Sequence, residues 1–437
     1  MKCTLNNTVE EQKIFRLLNQ ELVVALGCTE PIAIAYAAAL AKRFVKDGDI
    51  FSVQVAMSGN IIKNAMSVTI PGTAICGINA ATALGIVAGN PDKKLEVLSG
   101  ITQKHVKQAQ DMIEAGIISA SVANTSKKLY IEVVVHSKKS YAKVVIADHH
   151  TGVVLIEVDG QAFFYKEDHK DNACDELNTA SPFLNLDRVW QFAMEVDTKK
   201  LDIVKESIIL NKRVALEGLA NVYGLQVGRS IRDSIAKGIL TDDFATWAMA
   251  LTAAGSDARM AGCSLPVMSN SGSGNQGLCA TLPVVAVGEK LEIDDEKMIR
   301  AVALSHLITI YIKSKFGRLS ALCGATIAGT GASCGITYLL GGDLIQVKYA
   351  VQNMLGNVTG MLCDGAKAGC AMKVSTCVNA AIQSAVMATE QRSIQSTDGI
   401  IEADVNRTID NLCQLGNQGT LEADKIILEI MLNKKVG

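Results

Sequence analysis

The sequence is that of an α+β protein, in which a mixed α/β domain is inserted into a larger all-helical one. Three observations carry that expectation. Residues 9–45 and nearly everything after residue 185 repeat their apolar positions with helical period, whereas residues 50–165 alternate in short β-branched and aromatic runs. A polar, acidic stretch, FYKEDHKDNACDELNTASPF, separates the second regime from the third. The first helices have no strand partners of their own. The expected division is therefore 1–48, N-terminal helices packing with the C-terminal ones; 49–184, the α/β domain; and 185–437, the helical domain.

The 437 residues suffice for two or three domains and a sizeable core. With 42 basic and 44 acidic residues the net charge is −2, which gives no general electrostatic reason to expect nucleic acid or an anionic membrane as partner. The N-terminal stretch MKCTLNNTVEEQKIFRLLNQ lacks a basic region followed by an apolar run, so a cytoplasmic location is expected. In that reducing setting twelve cysteines point to metal binding, catalysis or burial rather than to disulfides. Mean hydropathy is +0.24, and residues 319–342 carry no formal charge. Glycines and hydroxyl residues interrupt that run and aromatic residues are only 4% of the chain, so close-packed internal helices explain it better than a membrane span.

The first helical segment, EEQKIFRLLNQELVVAL, breaks at Gly27-Cys28-Thr29-Glu30-Pro31 and restarts as CTEPIAIAYAAALAKRF. Pro31 suits a first turn and Thr29 can cap it. The break puts Cys28 and Glu30 near a helix N-terminus, whose partial positive charge favours a thiolate. An ordinary capped kink with a buried cysteine fits the same spacing.

From Ile50 onward FSVQVAM, MSVTIP, KLYIEVVVHS, SYAKVVIAD, TGVVLIEVDG and QAFFY read as antiparallel strands, with helical intervals at Cys76–Val87 and Thr102–Ala115. Between the first two, the turn Ser58-Gly59-Asn60-Ile61-Ile62-Lys63-Asn64 suits a carboxylate, through backbone amides and Lys63, or is a solvated turn. His149 and His150, in ADHHTG, are either acid/base groups or ligands, or a turn pair without a role. The chain has no H-E-x-x-H pattern for a zinc hydrolase.

In the helical region the nine residues Ser269-Asn270-Ser271-Gly272-Ser273-Gly274-Asn275-Gln276-Gly277 have no apolar side chain, although LPVM and LCATLPVVAVG flank them. Hydroxyls, amides and glycine-exposed N–H groups at the head of an apolar helix suit an anionic head group. A P-loop is excluded because its lysine motif is absent, and no strand is expected ahead of the loop, as a dinucleotide fold requires.

Five of the twelve cysteines, Cys323, Cys334, Cys363, Cys370 and Cys377, crowd into LSALCGATIAGTGASCGITYLLGG and GMLCDGAKAGCAMKVSTC. The chain has no C-x-x-C, so structural zinc is disfavoured, whereas an iron–sulfur cluster tolerates wider spacing. On one continuous helix, thiols seven residues apart are separated by about 10 Å along the axis, too far for one small cluster. Gly365 and Gly369 can break such a helix and fold Cys363 and Cys370 onto one site, with Cys323 as third ligand and Cys377 left in the core. Spacing alone weighs that cluster evenly against a packed core.

The motifs LGCTEP, SNSGSGNQG, LCGATIAGTGASCG and LCDGAKAGC, in this order and spanning nearly the whole chain, resemble the L-cysteine desulfidase family, related to the α chain of bacterial iron–sulfur L-serine dehydratases. The resemblance implies a [4Fe-4S] cluster on Cys323, Cys363 and Cys370, with a further functional cysteine at Cys28. It implies a lyase of amino-acid catabolism: β-elimination from L-cysteine to pyruvate, ammonia and sulfide, without pyridoxal phosphate (PLP). L-Serine dehydration and a non-catalytic amino-acid binder that lost the cluster are the alternatives. On that reading Cys28 as thiolate removes the α-proton, or Glu30 does. Ser58, Asn60, Lys63, Asn64, Ser269, Asn270, Ser271 and Asn275 bind the substrate, a small amino acid. No membrane partner is expected, and a homodimer is compatible with so apolar a helical half.

Overall fold

A computed structural model describes residues 7–46, 48–166, 183–316 and 322–434. Most of the polar connector and the first residues of the LSALCG motif lie outside the described residues. The chain opens with α1 (Asn7–Glu21), β1 (Leu22–Leu26) and α2 (Thr29–Phe44). It continues through β2 (Ile50–Met57), α3 (Gly59–Ala65), α4 (Gly77–Ala88), α5 (Gln103–Glu114), β3 (Ile118–Val122), β4 (Tyr130–Ser137), β5 (Tyr141–Ala147), β6 (Val153–Val158) and β7 (Gln161–Tyr165).

Strands β2 to β7 form one mixed sheet in the order β3-β2-β4-β5-β6-β7. Only the β2–β3 pair is parallel, because α3, α4 and α5 intervene and return the chain in the same direction. Alternation sends Val53, Val55 and Met57 of β2, Ile131, Val133 and Val135 of β4, and Val144 and Ile146 of β5 to one face. There they form one core with the alanine-rich helix α2 and with α4. The segment MSVTIP is not a strand: it makes a single bridge, Thr69 to Cys76, and the strand at residues 118–122 takes the sheet edge instead.

The helical region comprises α6 (Leu186–Glu195), α7 (Asp202–Ala220), α8 (Val227–Ala236), α9 (Phe244–Met260), α10 (Gly274–Lys290), α11 (Asp295–Phe316), α12 (Gly324–Leu339), α13 (Leu344–Asn357), α14 (Cys370–Thr389), α15 (Val405–Gln414) and α16 (Leu421–Leu432). Helix α12 is the charge-free run, and it is a core helix. A Cβ at Gly331 would collide with the backbone of Ser305, so glycine lets α11 and α12 approach closely. Its buried hydroxyls satisfy themselves on carbonyls one turn back, as Thr330 does on Thr326 and Thr337 on Ser333. No helix among the described residues is long and apolar enough to cross a membrane.

Two features differ from the sequence-based expectation. The helical region is not purely helical: LVVAL, read as the end of a helix, is β1, and it pairs antiparallel with β8 (Pro266–Asn270), Leu22 facing Asn270 and Leu26 facing Pro266. Two valines in a five-residue apolar run fit either periodicity, and a partner remote in sequence decides it. Residues 1–48 also divide between two cores. Ile14, Leu17 and Leu18 of α1 join the helical core, whereas α2 lies on the sheet, because almost all of its faces are small and apolar.

Candidate active site

The two cores meet at a cleft of about 110 Å³, bordered by the Gly27–Glu30 break, the turn after β8, the starts of α12 and α14, and the loop between α13 and α14. One water needs about 10–15 Å³ of such space, so the cleft suits a group the size of a small amino acid or an inorganic cluster.

Gly27 makes the break possible, with φ of +69° and no room for a Cβ beside Pro71. Cys28 and Glu30 follow, both buried. The Cys28 thiol donates to Glu30 Oε2 at 3.2 Å, and Asn64 Nδ2 donates to Oε1 at 3.1 Å. The Thr29 hydroxyl lies 3.0 Å from Glu30 Oε2 and 2.9 Å from the carbonyl of Gly272, with one proton to serve both. Burial, and after it the Glu30 charge, push the Cys28 thiol well up. That direction is opposite to the one expected from a helix N-terminus, because desolvation and a carboxylate in contact outweigh the dipole.

Three thiols arrive from separate segments. Cys323 immediately precedes α12, and its N–H bonds the carbonyl of Met361 at 2.8 Å while Leu322 and Leu362 form a bridge. This pairing sets Cys323 and Cys363 on one side of the cleft. Gly365, at φ +94°, then passes against the backbone of Lys63 and turns the chain so that Cys370 opens α14 on the same cleft. Gly369 is right-handed at φ −61°, so Gly365 alone makes the left-handed turn. Asp364 is held by Lys367 and Lys373, and Lys373 also donates to the carbonyl of Leu362 at 2.7 Å. Cys377 and Cys334 are packed away from the cleft, against Met361 and the carbonyl of Val347 respectively.

Among the described residues no three His, Cys, Asp or Glu side chains close on a point as a single metal ion requires. Three thiols opening on one cavity from separate segments suit a larger group that meets each of them through a different atom. After burial, each neighbouring thiol adds to raising Cys323, a mutual repulsion that a cationic guest relieves.

Arg259, at the end of α9 and only 4% exposed, lines the same cleft. Its Nη1 bonds Asn275 Oδ1 at 3.2 Å, its Nε has no partner, and no carboxylate among the described residues lies within salt-bridge distance. A Cβ at Gly274 would collide with this guanidinium, and one at Gly277 with the backbone of Met268. Lys313 of α11, also buried, lines the same cavity.

Of the residues singled out in sequence, Cys28, Glu30, Asn64, Asn275, Cys323, Cys363 and Cys370 border the cleft. The others do not. Ser58 immediately precedes α3 and donates to the carbonyl of Lys128 at 2.8 Å rather than capping the helix, Asn60 is half-buried off the cleft, and Lys63 is buried in an ion pair with Asp424 at 2.5 Å. Ser269 donates to the carbonyl of Val23 at 2.6 Å, across the β1–β8 pair. Asn270 bonds His306 Nδ1 at 3.0 Å and accepts from Ser271 at 2.9 Å. These hydroxyls and amides hold the loop itself, since a buried backbone needs the same partners a ligand would. A strand does precede the loop, and Gly272-Ser-Gly-Asn-Gln-Gly277 has the spacing of a dinucleotide fingerprint. Among the described residues strand β8 nevertheless pairs only with antiparallel β1 and belongs to no parallel βαβ unit, so the fingerprint lacks its fold.

Thr29 and Gln276 also line the cleft, although the sequence names them only as a cap and a loop amide, and Arg259 and Lys313 were not foreseen. The one available signal was a charge set in an apolar helical run, as in TAAGSDARMAG and HLITIYIKSKF.

The sequence model of the family described as serine dehydratase alpha chain matches residues 92–429. A UPF0597 protein of Oleidesulfovibrio alaskensis is 45% identical over 427 residues, covering 98% of this chain and 99% of the relative. Another, of Clostridium perfringens, is 45% identical and covers 96% and 98%. A UPF0597 protein of Porphyromonas gingivalis is 42% identical, with 98% and 100% covered.

Proposed function

Because the chain belongs to the serine dehydratase alpha chain family, we propose that it is a lyase that eliminates the β-substituent of a small α-amino acid, with L-cysteine the leading substrate and L-serine the alternative. The observation that carries this reading is the meeting, in one small cleft, of three thiols, a thiol–carboxylate pair and a buried arginine without a carboxylate partner.

Cys323, Cys363 and Cys370 would hold a [4Fe-4S] cluster. Bound there with one iron free of protein ligands, it supplies a Lewis acid for the leaving thiol or hydroxyl. The remaining work falls to side chains. Arg259, steadied by Asn275 and seconded by Lys313, receives the substrate carboxylate, since a buried guanidinium gains most from a planar anion. Cys28 and Glu30 act together on the α-proton. The Cys28 Sγ proton passes to Glu30 Oε2, to which it is already hydrogen bonded, and the thiolate so formed takes the proton from Cα. Burial holds the thiol in its protonated form, so transfer of its proton to Glu30 and removal of the α-proton have to be concerted. Loss of HS⁻ or OH⁻ from Cβ leaves an enamine, which water converts to pyruvate and ammonia.

Anaerobic reconstitution with iron and sulfide, followed by parallel assays with L-cysteine and L-serine, tests the reading. Pyruvate from one of them supports it. A protein that takes up no iron, or holds iron and leaves both amino acids unchanged, refutes it.

A further inference from the structure

Behind the turn at Gly272 lies a second cavity, larger than the first at about 350 Å³. It opens where the two cores meet: β1 and the end of β8 form one wall, and residues 93–96 and 149–151 form the other. Lys93, Lys94, His149 and His150 line it against a single carboxylate, Glu96. Lys93 uses one of its three donors on Ser99 Oγ, at 2.9 Å. Its volume falls in the range of small-ligand pockets, and junctions between cores are where such pockets concentrate.

The backbone around this cavity is unusual. Seven non-glycine residues among those described have positive φ, and three of them border it or adjoin its wall: Lys94 at 48°, Asp148 at 66° and Ser271 at 48°. Such conformations persist where the surrounding structure enforces them, and ligand clamps are a common setting. Gly272 belongs to both cavities. Its carbonyl is the one that the Thr29 hydroxyl reaches at 2.9 Å, and the same hydroxyl lies 3.0 Å from Glu30.

We propose that this second cavity binds a small oxyanion, a carboxylate or a phosphate, and that its occupancy fixes the Gly272 turn and, through Thr29, the carboxylate of Glu30. Two ammonium groups and two imidazoles supply charge-assisted donors of the kind such anions require. The coupling to catalysis rests on the role proposed for Glu30, whereas the binding does not.

Titration calorimetry of the full chain with inorganic phosphate, and separately with malonate, at constant ionic strength, separates the two chemistries. Saturable one-to-one binding of at least one of them is expected. Replacing Lys94→Gln together with His149→Gln weakens it tenfold or more, and Glu96→Gln strengthens it. Amide exchange measured with and without the bound anion slows at residues 269–276 and at 28–32, a readout that needs no turnover. Absence of saturable binding, equal binding by the double variant, or weaker binding by Glu96→Gln overturns the site. Protection at neither segment overturns the coupling, whether or not the holoenzyme proves to be a lyase.

Discussion

The thiol of Cys28 points its proton at the carboxylate of Glu30, 3.2 Å away and buried with it. Two groups that share one proton act as a unit, so Cys28→Ser and Glu30→Gln are each expected to lower kcat/KM by about 10²–10⁴. The double variant is expected to be little worse than the poorer single one. Pyruvate formation by anaerobically reconstituted protein measures all three.

Arg259 is a buried cation with no carboxylate among the described residues within salt-bridge reach. Arg259→Gln is expected to raise KM and cost about 100-fold or more in kcat/KM, with Arg259→Lys intermediate because it keeps the charge and loses the fork. A residue kept only for stability would lower the melting temperature when replaced. Here the melting temperature is expected to hold or rise, since an uncompensated buried charge is removed.

Replacing Cys323, Cys363 or Cys370 by serine is expected to deplete iron and acid-labile sulfide after reconstitution. Cys334→Ser and Cys413→Ser, buried away from the cleft, are expected to retain both. Iron and sulfide per chain, with the visible absorbance, decide this without any assay of turnover.

Lys63 was expected to bind substrate and is instead paired with Asp424, its side chain 2% exposed. Asp424→Asn leaves a buried ammonium uncompensated and is expected to cost about 3 kcal/mol, read by denaturant melts. The pair Lys63→Met with Asp424→Leu is expected to recover most of that. Neither change is expected to move KM.

Asp257 is buried, with one oxygen accepting from Gly228 N–H at 3.0 Å and the other without a partner. Burial raises its carboxyl to about 6, against the opposing pull of the Gly228 hydrogen bond and the neighbouring N–H of Val227. The folded chain therefore holds this proton more tightly than the unfolded chain, whose carboxyl titrates near 4. Stability is expected to decline as pH rises from about 4 to about 6, by on the order of 3 kcal/mol at most. Asp257→Asn removes that dependence, so its gain in melting temperature over the parent is expected to be larger at pH 8 than at pH 4.

What could be read in sequence follows from how local each signal is. Gly365 announced a turn that returns Cys370 toward Cys363, and alternation announced the strands of the sheet, because both depend on neighbours in the chain. Ser269, Asn270 and Ser271 misled because a polar side chain has the same letter whether it meets a ligand or a buried carbonyl. Strand β1 was read as helix because five apolar residues fit both periods, and β8, its partner, lies across the chain. Arg259 was passed over because one arginine in a helix ordinarily marks a solvated face, and only three-dimensional packing shows that this one is enclosed.

The cleft is drawn from both ends of the chain. Thr29 meets Gly272 across 243 residues of sequence, and Cys370 lies 342 residues after Cys28 (370 − 28). At about 5–20 residues per second, a ribosome needs roughly 20–70 s to make the longer of these intervals. Through that time the nascent chain carries Cys28 and Glu30 without the walls that enclose them. Any iron–sulfur insertion on the three proposed ligands would therefore have to wait until Cys370 has been made, and chains truncated before it would be unfit to receive the metal.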